Sequence, residues 1–107
     1  MTAKVGTLDH GPWIAPAGTD QALTIDDTAG GVSLSAFPAG TDLVLLTLGT
    51  AEVRYTIDGS APTTTNGHLL SAYDERVWHV NMASVAKFIR TGATSGVLHA
   101  SPLKIIE

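Results

Sequence analysis

The chain predicts an all-β fold, a small antiparallel β-sandwich of about eight short strands with an extended N-terminal arm. Three observations carry this. Short alternating or apolar runs recur about every 8–12 residues, clusters of Gly, Pro, Asp and Asn separate them, and no segment sustains a helical period. The 107 residues suffice for one compact domain and are too few for two ordinary ones. Charged residues make up only 15% against 44% hydrophobic, which argues against long Glu- and Lys-rich surface helices.

Residues 1–20 are assigned to the arm and 21–107 to the domain. The arm holds Trp13 and Ile14 between Pro12 and Pro16, with a period of neither 2 nor 3.6. Such residues gain roughly 1.5–3 kcal/mol each only when buried, so the arm is expected to dock, on its own domain or on a neighbouring subunit. Ala22–Ile25 and Val32–Ser35 alternate and are expected as two strands around a turn at Asp26-Asp27 and Gly30-Gly31. Asp42–Leu48 is apolar on both faces and is expected centrally in a sheet. Glu52–Ile57 places Val53, Tyr55 and Ile57 on one face and Glu52, Arg54 and Thr56 on the other.

The next segment is an expected exposed loop containing Asp58, Gly59, Ser60, Pro62, Asn66 and Gly67. In it Asp58-Gly59 and Asn66-Gly67 reverse the chain and Pro62 stiffens the path between them. His68–Leu70 and Arg76–Val80 are further strands, with Trp78 and Val80 facing opposite to Val77 and His79. Met82–Ala86 lacks alternation and is expected to form one helical turn capped by Asn81. Lys87–Arg90 and Gly96–Ala100 close the series around a connection at 91–95, and Pro102–Glu107 forms a tail.

Composition excludes several function classes. The formal charge of −4 is uneven: residues 1–53 hold six acids and one base, residues 54–107 four acids and five bases, so the halves are −5 and +1. The bases Arg54, Arg76, Lys87, Arg90 and Lys104 are scattered singly, unlike a nucleic-acid-binding patch, and no direct nucleic-acid partner is expected. The chain has no cysteine, hence no disulfide or thiolate metal site, which suits a reducing cytoplasm. Its longest apolar run, Leu43–Leu46, is too short to span a bilayer as a helix, and the N-terminus lacks a secretory h-region, so no membrane association is expected.

No catalytic, cofactor or metal residue is assigned. His10, His68, His79 and His99 fall on different elements without zinc-site spacing. The pairs Asp26-Asp27 and Asp74-Glu75 lie in turns, where neighbouring carboxylates are solvated rather than paired across a substrate. No serine has a nucleophile-elbow context, and alternation puts Tyr55 and Trp78 in the core rather than on a sugar-stacking platform. The chain is therefore expected not to be an enzyme.

The segments VRYTIDGSAPTTTNGHLL, VWHV, ASVAKFIRTG and GVLHAS together resemble a family of small tailed-phage virion proteins, over roughly the second half of the chain. That resemblance implies a non-enzymatic structural protein of a virion. The expected form is a capsid decoration (cement) protein on the capsid surface, assembled in the host cytoplasm. Its partner would be the major capsid protein or another virion protein, across whose subunit seams it binds, and it would be a homo-oligomer with a trimer favoured. A head fibre, neck or tail-associated component is the alternative within the same class. The shorter run YTIDGSAPT also resembles a motif of chitobiase-like accessory domains, which implies a carbohydrate-binding β-sandwich module instead. Trp13, Ile14, Ile105 and Ile106 are the expected partner-contact residues, although Ile105-Ile106 serves equally well as the closing end of a last strand.

Overall fold

A computed structural model describes residues 13–106, and their architecture is two antiparallel sheets packed face to face. Eight strands and one short helix follow in order: β1 Trp13–Pro16, β2 Gln21–Ile25, β3 Leu43–Leu48, β4 Val53–Thr56, β5 His68–Leu70, β6 Glu75–His79, α1 Val80–Val85, β7 Lys87–Arg90 and β8 Gly96–Ile106. The larger sheet runs β1-β8-β3-β6, with β2 also on β8; the smaller runs β5-β4-β7. The all-β sandwich expected from the pattern of turns is the fold.

Alternation explains the core. In β3, Val44, Leu46 and Leu48 are buried, and in β8 the same holds for Leu98, Ala100 and Pro102. Opposite them the smaller sheet contributes Val53, Leu70 and Phe88. Trp78, on the edge strand β6, stacks on Phe88 with ring centroids 6.2 Å apart and meets Tyr55 at 4.9 Å, closing one end of the core with aromatic rings. β3 is central, paired with β8 on one side and β6 on the other, as its two apolar faces predict.

Several expectations are corrected. Val32–Ser35 is not a strand: Val32 alone exchanges two 2.8 Å hydrogen bonds with Phe88, and the chain then leaves β7 to cross between sheets. There the side chain of Gln21 takes over the backbone of Ser35, accepting from its N–H at 2.8 Å and donating to its carbonyl at 3.1 Å. The helical turn begins earlier than expected, and its cap is His79, whose Nδ1 accepts from the Asn81 N–H at 3.1 Å. β4 ends at Thr56, so Ile57 leaves the buried face.

The largest departure is β8, which runs eleven residues and passes straight through Pro102. The N and C=O of a strand residue point to the same edge, and the Pro102 carbonyl accepts from Ala17 N–H at 2.9 Å. The missing N–H of Pro102 therefore faces the gap between β2, whose pairing ends at Ala100, and β1, whose pairing begins at Leu103. No ladder bond is lost there. Of the arm expected over residues 1–20, residues 1–12 lie outside the described residues, Trp13–Pro16 are β1, and 17–20 link β1 to β2.

Candidate functional site

Two places bring chemistry or apolar surface together. The first is the far end of β8, where β1 lies antiparallel to it with Trp13 opposite Ile106 and Ile14 opposite Ile105. The four residues expected as contact elements, split between the two ends of the sequence, thus occupy adjacent register positions. β3 pairs β8 only as far as Leu103, so Lys104–Ile106 and β1 continue as a two-stranded ribbon beyond the main ladder. Asp42 closes that ladder, its carboxylate accepting from the Ile105 N–H at 2.8 Å. Ile14 is 51%, Ile105 38% and Ile106 43% exposed, and alternation sends Ile105 and Ile106 to opposite faces.

The register extends the apolar surface across the outer face of the larger sheet. Leu103 stands between Pro16 and Leu43, and Leu45 stands opposite Val77, which is 55% exposed. Leu43, Leu45 and Leu103 are half-buried. Sequence reasoning did not single out these residues for contact. The signal is the run Asp42–Leu48, apolar on both faces, which predicts the central position of β3 in the sheet and leaves open what its second face meets.

The second place is the loop between β4 and β5. Asp58 Oδ1 accepts from both the N–H and the hydroxyl of Ser60, which forms a tight Asx turn with Gly59 at φ +88°. Those two hydrogen bonds, with the nearby His68 adding a smaller effect, hold the Asp58 carboxyl below its ordinary value of 3.8. The Thr56 hydroxyl donates to the Ser60 carbonyl at 2.6 Å. The chain reverses at Thr63–Asn66, which exchange backbone hydrogen bonds of 2.9 and 3.3 Å, rather than at Asn66-Gly67. Gly67 instead carries the chain past the Tyr55 carbonyl, which a Cβ would approach to 3.0 Å. Pro62, expected in the exposed loop, is fully buried, and a Cβ on Gly31 would stand 3.1 Å from its ring; the rest of the expected loop is exposed or half-buried.

Between the Asx turn and the start of β5 lies a concavity of about 450 Å³ whose lining includes Ile57, Asp58, Asn66 and His68. Around it the basic side chains are committed elsewhere: Arg54 donates to the carbonyls of Thr64 and Gly67, and Lys87 to that of Gly59.

The remaining ionisable pairs serve turns. Asp26 Oδ1 accepts from the N–H and hydroxyl of Thr28, which holds its carboxyl below 3.8, and Asp27 pairs with Arg90 at 3.4 Å. Asp74 accepts from Ser71 N–H at 2.8 Å and pairs with Arg76 at 3.2 Å. Among the described residues no three His, Asp or Glu side chains gather as a metal ion would require, and His10 lies outside them. Trp78 is 7% exposed, in the core as expected. No family model, no curated protein and no solved structure matches the chain.

Proposed function

We propose that this chain is a non-enzymatic structural protein of a virion, a decoration protein that binds across capsid-subunit seams and stabilises the assembled shell. One observation supports the reading above the others. Apolar residues from β1 and the end of β8 meet on a projecting ribbon, and half-buried Leu103, Leu43 and Leu45 with exposed Val77 follow from it along the larger sheet. Covering the half-exposed Ile14, Ile105 and Ile106 is worth about 1 kcal/mol each, which is weak for one copy. Repetition by symmetry in a homo-oligomer, of which a trimer is the simplest for a three-fold position, multiplies such contacts into useful avidity. A contact made only in the assembled state stabilises that state by mass action.

The test is co-sedimentation of the purified protein with phage heads lacking it. Saturable binding that protects the heads against heat, lost in Ile14→Asp and Ile106→Asp while the melting temperature of the free protein is kept, is the expected result. Absence of binding, or binding indifferent to both substitutions, would sink this reading.

A further inference from the structure

The backbone nitrogen that follows an asparagine can attack its carboxamide carbon, and glycine, with no side chain, leaves that nitrogen least screened. Asn66-Gly67 has this form. Asn66 is exposed, and among the described residues neither its carboxamide nor the Gly67 N–H engages a hydrogen-bond partner. No such bond has to break before the two atoms meet. The concavity that Asn66 and Gly67 help to line admits the water that a later step consumes.

The comparable positions are protected. Asp58-Gly59 offers the same bare nitrogen, but Asp58 Oδ1 is held by the N–H and the hydroxyl of Ser60, which keeps the carboxyl ionised. A carboxylate repels a nucleophile and has no neutral group to release. The chain's other asparagine, Asn81, lies in α1, where helical dihedrals turn the next nitrogen away from the side chain, and that nitrogen belongs to Met82. Nor is Gly67 easily exchanged for a residue that would screen its nitrogen, because a Cβ there would stand 3.0 Å from the Tyr55 carbonyl. The fold requires the glycine that exposes Asn66 to attack.

We infer that Asn66 is a site of spontaneous deamidation in the folded protein. The Gly67 nitrogen bonds to Asn66 Cγ, the Cγ–Nδ2 bond breaks, and the Gly67 amide proton departs with ammonia, leaving a succinimide ring. Water then opens the ring at either carbonyl, its hydroxyl staying on the carbon as a carboxylic acid that ionises and its other proton returning to the nitrogen. Opening at Cγ leaves aspartate in a normal main chain; opening at the backbone carbonyl routes the main chain through Cγ as isoaspartate. Either product brings one more negative charge to the concavity shared with Asp58, on a chain whose formal charge is already −4. Isoaspartate also inserts a methylene between the Thr63–Asn66 reversal and β5, an edge strand of three residues whose approach is held by Arg54 on the Gly67 carbonyl. The modified chain has a looser β5. All of this lies on the smaller sheet and holds whatever the ribbon binds.

The test is storage of the purified full-length chain at neutral and at mildly alkaline pH in heavy-oxygen water, with peptide mapping by mass spectrometry over time. Position 66 should become aspartate and isoaspartate, each with one labelled oxygen, faster at the higher pH and at least about tenfold faster than Asn81 changes. The stored protein should melt below the fresh one. Asn66→Gln, which would need a larger ring, should keep the melting temperature of the fresh protein and form no acidic species; Asn66 is not among the residues with positive φ, so glutamine fits its backbone. The inference is overturned if Asn66 stays intact in the folded chain while the same chain in denaturant converts, if Asp58 or Asn81 changes first, or if the Asn66→Gln variant accumulates the same acidic species.

Discussion

Gly40 and Gly67 have positive φ, at +89° and +134°, yet they differ in what surrounds them. A Cβ on Gly40 meets nothing within 4 Å, whereas one on Gly67 meets the Tyr55 carbonyl at 3.0 Å and Arg54 Cβ at 3.3 Å. Backbone cannot step aside as a side-chain end can. Gly40→Ala should therefore cost only the conformational penalty, about 1 kcal/mol, and Gly67→Ala should cost about 2 kcal/mol or more. Thermal melts of the two variants check the order; equal shifts would mean that β5 gives way at its start. The role of Gly67 was only half legible. Asn-Gly announces a turn, but close passage against another strand depends on β4–β5 pairing that a local dipeptide does not encode.

At the scale of elements, the readable ones were those whose neighbours are supplied by alternation alone. β3 buries one face by period 2 through Val44, Leu46 and Leu48, and β4 and β7 are placed by Val53 and Phe88, although Thr56 and Ile89 are buried as well. The misjudged ones depend on partners distant in sequence. Pro102 looks like a strand terminator until β1 and β2 are seen to abut along one edge of β8, and Val32–Ser35 looks like a strand although only Val32 finds a partner. The ribbon residues were found as candidates because apolar ends are conspicuous, while their pairing across the molecule was not written in either end. Helix α1 has six residues, no acidic residue in its first turn and a side-chain cap from His79. So short a helix depends on that cap. His79→Ala should lower stability by about 0.5–2 kcal/mol and His79→Asp by much less, since a carboxylate oxygen can accept from Asn81 N–H in its place. Chemical denaturation of both variants decides it, and equal losses would assign the role of His79 to packing instead.

At the scale of the molecule, the shape is elongated, 49 × 24 × 21 Å, and β8 accounts for much of the long axis at about 3.3 Å per residue. One strand thus meets β1, β2 and β3, and the larger sheet has no other means of joining its halves. Loop closure sets the order of events, because β1 and β2 must wait for residues 96–106 before gaining their ladder bonds, whereas β3 can pair β6 earlier and gains only its second ladder from β8. A ribosome-bound chain arrested with residues 96–106 still inside the exit tunnel should be digested by protease throughout residues 13–25, and one arrested after their emergence should resist. Early resistance would mean that the smaller sheet orders the chain by itself. On the expected outcome β8 acts as a latch: residues 13–25 stay soft until residues 96–106 have left the exit tunnel, and only then take their rigid form.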